Sequence, residues 1–499
     1  MNKTVFSSSY LGATSFLVEV EIDISSGIPL FSIIGLGDTA ISESRDRIRT
    51  ALKNSDFILP PKKIIVNLSP AGIKKEGAHF DLPIAVGIMT TMGFIKDRFN
   101  ILKDYLFIGE LSLSGKIKPI KGAINTVILA KEKEFKGVIL PYSNYQEASL
   151  IKNIEIIPVS TLRDVANFIS TNKIVKPPLK KFITNLDSEL DFSDVKGQSF
   201  AKRGLEIAAA GKHNIILIGS PGCGKTMLCK RFKSILPPLD EKEIIEVTKI
   251  HSIAGELSKS IPIITTPPFR APHHTSTLTS IIGGGNKIAP GEIALASNGV
   301  LFFDEIGEFS KKILECLRQP LEDKNISISR TNYKVNFKSD FIFIATANPC
   351  PCGFYYEGAR CKCSQYEINR YQKKFSGPIM DRIDIHIEVK KLDENELINL
   401  PKGEPSKIIR NRVIMARKIQ NKRFNSNKGN SNMTQEELKK YCSLSQENKK
   451  FLQNTIKTMN ISARGYDKIL KISRTIADLE NCQNIEKVHI LEALSFREK

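Results

Sequence analysis

The alternation of apolar and polar residues predicts strands in the first part of the chain. From Val18 to Ile24 every second residue is apolar and the residues between them are acidic, which is the pattern of a half-buried strand. Further strands are predicted in KIIVNL and in a hairpin over LFIGELSLSGKIKPI, with a helix over DLPIAVGIMTTMG between them. We therefore expect an α+β domain over residues 1–172, followed by a linker rich in lysine and proline over 173–190.

A different pattern begins near residue 190. The short apolar runs NIILIG, GVLFFDE and FIFIATAN are separated by helical or loop segments. This spacing is typical of a parallel sheet that is covered by helices on both faces. We expect such an α/β domain to occupy residues 191–392.

The last hundred residues are predicted to be helical. The stretch TQEE at residues 434–437 has the form of a capping box at a helix N-terminus. One apolar stripe at helical spacing follows, formed by Ile469, Ile472, Ile476 and Leu479. A helical domain is therefore expected over residues 393–499, interrupted by a flexible loop at NSNKGNSN.

Composition narrows the class of protein. None of the apolar runs reaches the ~18 residues that a membrane-spanning helix needs, and the opening stretch MNKTVFSSSY lacks the apolar core of a signal peptide. We expect a cytoplasmic protein without a membrane partner. The nine cysteines, an odd number, then favour free thiols or a metal site over a disulfide framework.

The net charge favours an anionic partner. The chain has 73 lysine and arginine residues against 53 aspartate and glutamate residues, a surplus of 20. A surplus of this size attracts polyanions such as nucleic acids. The alternative is a generally basic proteome, because an AT-rich genome encodes many lysines and these raise the isoelectric point of many of its proteins.

One motif predicts a nucleotide site. GSPGCGKT follows the apolar run NIILI, and its glycines allow backbone N–H groups to turn inward around phosphate oxygens. In this pattern the lysine reaches the terminal phosphates and the threonine is a ligand of Mg²⁺. The predicted site for ATP consists of Gly219, Ser220, Pro221, Gly222, Cys223, Gly224, Lys225 and Thr226.

Three further side chains belong to the same predicted site. GVLFFDE ends in Asp304 and Glu305 at the carboxyl end of a buried strand. Asp304 would hold the water shell of Mg²⁺, and Glu305 would polarise the attacking water. FIFIATANP places Asn348 where it can touch the γ-phosphate or the water. The simpler alternative for the two acids is a strand that ends in solvated charges.

Two arginines suggest that several copies of the chain assemble. Arg382, in SGPIMDRIDI, precedes an edge-like strand, and Arg464 lies at the start of a C-terminal helix. An arginine can stabilise the negative charge that develops on the γ-phosphate during hydrolysis. If a neighbouring subunit supplies Arg382, hydrolysis requires a ring. The alternative is that either arginine forms a surface salt bridge.

The stretch CPCGFYYEGARCKC suggests a metal site in the segment 350–363. It places Cys350, Cys352, Cys361 and Cys363 as two C-x-C pairs separated by eight residues. Four thiolates can close a tetrahedral Zn²⁺ site. The spacing is tighter than the usual C-x₂₋₄-C, so free cysteines in a loop remain the alternative.

The chain resembles a known family over nearly its whole length. GSPGCGKT, FRAPHHTSTLTSIIGGG, PGEIALASNGVLFFDE, ATANPCPCG and SGPIMDRIDIHIEV are similar to blocks of the magnesium-chelatase-like AAA+ ATPases of the YifB/ComM group. The resemblance implies a hexameric ring with Lys225, Asp304 and Glu305 in nucleotide chemistry. It further implies Asn348 as sensor one, Arg382 as arginine finger and Arg464 as sensor two.

The resemblance also implies a function. ComM-type members are expected to use ATP to translocate DNA, promoting branch migration in homologous recombination and natural transformation. The hairpin ISISRTNYKVNF projects toward the pore in related rings, where Arg330, Tyr333 and Lys334 would touch a DNA backbone. The alternative is a hairpin packed on its own domain.

The first domain resembles a second family. EGAHFDLPIA and IGELSLSGKIKPIKGA are similar to the proteolytic domain of Lon, in which a serine and a lysine form a catalytic dyad. The corresponding positions fall at Phe80 and near Ile124, and neither residue type can act as nucleophile or base. The resemblance therefore implies a structural or DNA-contacting domain without protease activity.

Two other functions remain open. A chelatase-type subunit would use the same ATPase core to drive Mg²⁺ into a porphyrin, although the Lon-like domain belongs to the ComM pattern. A protein-remodelling ATPase would be stimulated by unfolded polypeptide instead of DNA.

Overall fold

A computed structural model describes most of the chain. The described residues are 3–179 without 36 and 38, 190–391 without 259, 286–287, 331–332, 376 and 378, and 400–497. Most of the predicted linker 173–190, and the predicted boundary between residues 392 and 393, lie outside them. We call the three parts the N-terminal region (3–172), the central region (191–391) and the C-terminal region (400–497).

The N-terminal region is a mixed α+β unit. Its elements are β1 (Lys3–Leu11), β2 (Thr14–Ser25), β3 (Leu30–Ile34), α1 (Thr39–Lys53), β4 (Lys63–Ser69), α2 (Asp81–Thr91), α3 (Ile101–Asp104), β5 (Tyr105–Phe107), β6 (Glu110–Leu111), β7 (Ile117–Lys118), α4 (Ala123–Glu132), β8 (Gly137–Pro141), α5 (Tyr145–Ala148), β9 (Glu155–Val159) and α6 (Leu162–Thr171). Seven strands form one sheet in the order β3-β4-β2-β1-β5-β8-β9, and β6 pairs with β7 as a small hairpin. The predicted strand from Val18 to Ile24 is confirmed within β2, where the acidic residues are exposed.

The central region contains a five-stranded parallel sheet. Its elements are α7 (Ser199–Gly211), β10 (Ile215–Ile218), α8 (Lys225–Arg231), α9 (Glu241–Ala254), β11 (Phe269–Arg270), α10 (Leu278–Ile282), β12 (Gly283–Gly284), β13 (Ala289–Pro290), α11 (Glu292–Leu295), β14 (Val300–Phe303), α12 (Lys311–Cys316), α13 (Arg318–Asp323), β15 (Asn325–Arg330), β16 (Tyr333–Lys338), β17 (Ile342–Ala347), α14 (Gln365–Phe375) and β18 (Ile385–Glu388). The sheet order is β11-β14-β17-β10-β18, with every neighbouring pair parallel.

Helices cover both faces of this sheet, so its strands are apolar on both sides. Along β14, Val300 and Phe302 belong to one hydrophobic core, whereas Leu301 and Phe303 belong to the other. All four side chains are buried. This burial explains why GVLFFDE is a continuous apolar run instead of an alternating one.

The C-terminal region is helical. It comprises α15 (Ser406–Phe424), α16 (Gln435–Tyr441), α17 (Gln446–Met459), α18 (Ala463–Leu479) and α19 (Lys487–Ser495). Thr434 and Glu437 form the predicted capping box at the start of α16. Ile469, Ile472 and Ile476 of the predicted stripe pack into the same core as one face of the central sheet.

The prediction of a flexible loop at NSNKGNSN is wrong in its middle. Asn430 is fully buried, and its side-chain amide donates to Asp478 at 2.8 Å and to Thr475 at 3.1 Å. Its backbone N–H donates to the side-chain oxygen of Gln420 at 3.0 Å. Hydrogen bonds to helices distant in the sequence therefore hold a segment whose composition is that of a loop.

The N-terminal region packs directly against the central region. The Ser252 hydroxyl, at the end of α9, donates to the carboxylate of Glu147 at 2.6 Å and accepts from the N–H of Gly122 at 3.0 Å. A Cβ atom on Gly12, in the turn between β1 and β2, would overlap the side chain of Val335 in β16. Within the described ranges we find no helix with both the length and the apolar character needed to cross a membrane.

Candidate nucleotide-binding site

The predicted phosphate loop, residues 219–226, connects the carboxyl end of β10 to α8. Gly222 and Gly224 have φ angles of 78° and 94°, in the left-handed region that favours glycine. A Cβ atom on Gly219 would lie 2.3 Å from the carbonyl oxygen of Val389. The shape of the loop therefore requires glycine at these three positions, and such a loop can direct backbone N–H groups toward an anion.

Lys225 is buried beneath the phosphate loop. Its Nζ donates to the carbonyl oxygens of Gly219 and Ser220, at 2.6 and 3.0 Å. It also donates to Oδ1 of Asn348, at 3.2 Å. Because an ammonium group has three protons to donate, a bound phosphate would replace one or more of these acceptors.

Asp304 and Glu305 follow β14 at the same end of the sheet. The Thr226 hydroxyl donates to both carboxylate oxygens of Asp304, at 3.0 and 3.1 Å. The hydroxyl of Thr346 donates to Asp304 at 2.6 Å and accepts from the backbone N–H of Glu305 at 2.8 Å. A hydroxyl and a carboxylate held together in this way can bind Mg²⁺ and its water shell.

Thr346 was missed by the sequence interpretation. It is fully buried in β17, and its hydroxyl links the two acidic residues that follow β14. The available signal was a single polar residue within the apolar run FIFIATA. Buried hydroxyls need hydrogen-bond partners, so a threonine in such a run marks a contact that tertiary structure must supply.

Glu305 differs from Asp304 in its surroundings. Its φ angle is 55°, in the left-handed region, and its side chain is exposed, whereas that of Asp304 is partly buried. The change of backbone direction after Asp304 separates the two carboxylates. One of them faces Thr226, and the other is accessible to a water molecule that it could orient.

A cavity of about 230 Å³ adjoins the phosphate loop beside α8. Its lining residues are Asp194, Val195, Lys196, Gln198, Gly222, Cys223, Gly224, Met227, Leu228 and Lys391. The side-chain amide of Gln198, which lines the cavity, donates to the carbonyl oxygen of Lys390 at 2.7 Å. The sequence interpretation also missed Val195, Lys196 and Gln198, because the stretch DVKGQ carries no motif of its own.

Arg382 and Arg464 lie at the opposite end of the sheet. Arg382 precedes β18, which runs parallel to β10, and the phosphate loop follows the carboxyl end of β10. Four strand residues place on the order of 13 Å between the two ends. The guanidinium of Arg382 pairs with Glu322, and that of Arg464 lies 3.8 Å from the carboxylate of Asp381.

The two arginines share a cleft of about 370 Å³. Lys468 and Lys471 of α18 line the same cleft. The Nζ of Lys468 donates to the carbonyl oxygen of Ile383 at 2.7 Å, which ties α18 to the segment before β18. The cleft thus brings cations together with the acids Glu322, Asp381, Asp384 and Asp467, away from the phosphate loop of the same chain.

The four predicted cysteines come together. The sulfur atoms of Cys350, Cys352, Cys361 and Cys363 all lie within 4.8 Å of one another. The measured separations are 3.3 Å for Cys350–Cys352, 3.8 Å for Cys350–Cys361 and 3.7 Å for Cys352–Cys361. Tetrahedral zinc with Zn–S bonds of about 2.3 Å holds its sulfur atoms about 3.8 Å apart. The thiols therefore fit a zinc site.

The electrostatics of the cluster favour a metal ligand. A hydrogen bond from the backbone N–H of Phe354 lowers the pKa of Cys352 to about 6. A lowered pKa favours the thiolate, which is the form that binds metals. Burial raises the pKa of Cys350 instead, and a bound cation would be needed to ionise that thiol.

The hairpin ISISRTNYKVNF forms β15 and β16, which pair antiparallel. One face is buried in the core of the central region, through Ile326, Ile328, Val335 and Phe337. Lys334 is exposed, and the side chains of Arg330 and Tyr333 lie outside the described residues. The base of the hairpin adjoins the amino end of β17, so the hairpin extends from the same end of the sheet as Arg382.

The two positions that the Lon resemblance assigns to a protease dyad are apolar. Phe80 and Ile124 are fully buried in the N-terminal region. Lys121, three residues earlier than Ile124, instead lies near the carbonyl oxygen of Ala254 in the central region, at 3.4 Å. These contacts belong to packing and to the contact between regions.

The parallel sheet, the phosphate loop and the pair formed by Thr226 and Asp304 define a P-loop ATPase fold of the AAA+ type. Three family models match the chain: "Magnesium chelatase, subunit ChlI" over residues 191–397, "Subunit ChlI of Mg-chelatase" over 20–144, and "Magnesium chelatase, subunit ChlI C-terminal" over 403–497. The chain belongs to the magnesium-chelatase-like AAA+ family that includes YifB and ComM.

Full-length relatives support this assignment. Competence protein ComM of Haemophilus influenzae is 40% identical over 504 aligned residues, which cover 99% of this chain and 97% of that protein. YifB of Salmonella typhimurium is 38% identical over 496 residues, which cover 99% of this chain and 96% of that protein.

A third relative matches only part of the chain. Lon protease 2 of Bacillus subtilis is 36% identical over 140 residues, which are 28% of this chain and 24% of that protein. The family indicates ATPase activity, and the Lon-like character of the N-terminal region is confirmed.

Proposed function

We propose that this protein is an ATP-driven hexameric motor that acts on DNA, with a ComM-like role in branch migration during homologous recombination and natural transformation. The observation that carries the proposal is the position of Arg382 and Arg464. Both lie at the amino end of the sheet, whereas the phosphate loop lies at the carboxyl end. A strand length on the order of 13 Å separates Arg382 from the phosphate loop of its own chain, and Arg464 shares its cleft, so we propose that each serves the nucleotide of a neighbour in a ring.

Within one chain, the nucleotide roles follow from the contacts described above. Lys225 would hold the terminal phosphates, while Thr226 and Asp304 would bind Mg²⁺ and its water. Asn348, which already contacts Lys225, would report on the γ-phosphate, and Glu305 would orient the attacking water. The cavity beside α8 would take the adenine base.

DNA as the partner is supported by three independent facts. The net charge is +20, and an exposed lysine, Lys334, lies on the hairpin at the amino end of the sheet. The relative that is 40% identical is a competence protein by name. Cationic side chains that grip phosphates bind DNA with little sequence preference, as a translocating motor requires. Such work on DNA would take place in the cytoplasm.

We also propose one structural zinc ion, held by Cys350, Cys352, Cys361 and Cys363. Elemental analysis of the purified protein should find about one zinc per chain. Cys352→Ser should lose the metal and lower the melting temperature, whereas Cys316→Ser, a half-buried thiol outside the cluster, should change neither. Intact fold and activity in washed protein that contains no zinc would contradict this assignment.

The function is tested by measuring the ATPase rate with single-stranded DNA, duplex DNA, a forked junction, a porphyrin and casein. The proposal expects stimulation by DNA, and movement of a branched substrate only when ATP is hydrolysed. Stimulation by porphyrin would support a chelatase-type subunit, and stimulation by casein a protein-remodelling ATPase. An ATPase rate indifferent to every DNA form, in a preparation shown to be hexameric, would overturn the proposal.

A further inference from the structure

The cysteine loop, residues 350–363, is joined to the nucleotide site through the backbone. It begins two residues after Asn348, whose side chain accepts a hydrogen bond from Lys225. The side-chain amide of Gln372 donates to the carbonyl oxygen of Pro349 at 3.1 Å and holds the junction between them. A movement of the cysteine loop therefore reaches a residue that contacts the phosphate-binding lysine.

The cysteine loop also rests on the phosphate loop. Gly353 has a φ angle of 82°, and a Cβ atom there would lie 2.6 Å from Cδ of Pro221. The same Cβ would lie 3.8 Å from Cγ of Asn348. The two loops are thus in direct contact, and the contact leaves no room for a methyl group.

A carboxylate adds a third connection. The carboxylate of Glu357 accepts from Arg360 of its own loop at 2.8 Å, and this bond and the neighbouring side chain of Ser220 in the phosphate loop lower the pKa of the carboxylate. The cysteine loop therefore adjoins the phosphate loop at two successive residues, Ser220 and Pro221. These residues lie in the part of the loop that must surround the phosphates.

We propose that metal binding at the four thiolates and nucleotide binding at the phosphate loop are coupled. Closing the four cysteines around one zinc ion fixes the cysteine loop, and the fixed loop holds Ser220 and Pro221 in the shape that binds nucleotide. The inference rests on the ATP and zinc sites proposed above. Because coupling between two binding sites is reciprocal, nucleotide must tighten zinc binding by the factor by which zinc tightens nucleotide binding.

Two binding measurements on the full chain test the coupling. The first is the affinity for a fluorescent ATP analogue in the zinc-loaded protein and in protein stripped with a zinc-selective chelator, with Mg²⁺ kept in excess. The second is the zinc affinity, measured by equilibrium competition with a colorimetric chelator, with and without the same ATP analogue and Mg²⁺. We expect the nucleotide affinity to be about 10-fold weaker after stripping. We expect nucleotide to tighten zinc binding by a similar factor, which lies within the usual range of ~5–150-fold for coupling between two sites.

A matched pair of glycine variants separates the contact from the metal site. Gly353→Ala keeps all four thiols but pushes the cysteine loop away from Pro221, so it should bind zinc and lose most of the coupling. Gly358→Ala is the control, since Gly358 also has a positive φ, 57°, but no atom within 4 Å of its Cβ position. Equal coupling in the two variants would overturn the proposed route through Gly353.

The remaining outcomes distinguish this inference from the proposed function. Equal nucleotide affinity with and without zinc, in protein that binds both, overturns the coupling and leaves the ATPase intact. Failure to bind zinc under any condition overturns both the zinc site and the coupling. Failure to bind nucleotide even in the zinc-loaded protein overturns the proposed ATPase function itself.

Discussion

The two ends of the central sheet differ in what they need from outside the chain. At the carboxyl end, the phosphate loop, Asp304 and Asn348 already contact one another through Lys225 and Thr226. At the amino end, Arg382 and Arg464 share a cleft with further cations and with several acids, and with no part of the nucleotide site. The carboxyl end therefore has the contacts of a nearly complete binding site, whereas the amino end has charged groups that our proposal assigns to a neighbouring chain or to DNA.

The difference between the two ends follows from the common direction of the strands. Parallel strands bring the residues that follow them to one edge, where a ligand binds. The residues that precede the strands are collected at the other edge, together with the hairpin β15–β16 and the N-terminal region that packs on it. A nucleotide site built at one edge can thus be completed by the opposite edge of a neighbouring chain.

The strongest test of this comparison is Arg382→Ala. We expect the rate of hydrolysis to fall by about 10³ or more with little change in nucleotide affinity, because the arginine acts on the transition state. Mixing this variant with Glu305→Gln should restore activity at interfaces that pair an intact arginine with an intact glutamate. No restoration under conditions in which mixed rings form would contradict action across the interface.

Glu305→Gln tests the carboxyl end. The variant should bind ATP with normal affinity but hydrolyse it about 10²–10⁴ times more slowly, since the amide cannot orient and deprotonate water. Single-turnover kinetics and an equilibrium binding assay separate the two quantities. Normal turnover in this variant would remove Glu305 from the mechanism.

Lys225→Ala should weaken nucleotide binding by about 10² or more, because the phosphates lose the buried cation that would pair with them. The control is Lys230→Ala, on the same helix but exposed to solvent. A binding titration with a fluorescent nucleotide measures both variants. Equal affinities would show that Lys225 keeps its contacts to Gly219 and Ser220 when nucleotide is bound.

DNA binding tests the amino end. Affinity should fall by about 10³ or more between about 50 and 200 mM salt if some six phosphates are contacted. Replacing Arg330 and Lys334 together with alanine should reduce the salt slope by about 2 and leave nucleotide binding unchanged. Lys338→Ala is the control, since that lysine is already paired with Glu246 at 2.7 Å. An unchanged slope in the double variant would exclude the hairpin from the DNA contact.

The smallest effect is expected where the N-terminal region meets α9. Burial raises the pKa of Glu147 to about 7, so its carboxyl group stays protonated in the folded protein at mildly acidic pH. The protonated carboxyl group contributes to the free energy of unfolding in full below the unfolded pKa of 4.5. This contribution is lost as the pH rises through the folded pKa of about 7. The melting temperature should fall by a few degrees between about pH 6 and 8, and by less in Glu147→Gln. An identical pH dependence in the variant would contradict this origin.

Much of the carboxyl end could be predicted from short stretches of sequence. GSPGCGKT, GVLFFDE and FIFIATAN each place their functional residue directly after an apolar strand, and parallel strands bring such residues to one edge. Thr346 could not be predicted as a site residue because its role depends on the carboxylate beside it, which follows another strand. Val195 and Gln198 could not be predicted because they line a cavity only through their position next to the phosphate loop.

The sequence by itself determined the apolar strands around the phosphate loop, the loop itself and the presence of four closely spaced cysteines, because periodicity and motif chemistry depend on residues within about ten positions of one another. Only the tertiary structure decided that Arg382 lies at the opposite end of the sheet from its own phosphate loop, that the four thiols converge, and that Gly353 rests on Pro221. It also decided that the asparagine-rich loop is packed, through the bonds of Asn430. These relations depend on strand order and on contacts between residues far apart in the chain, which local patterns do not encode.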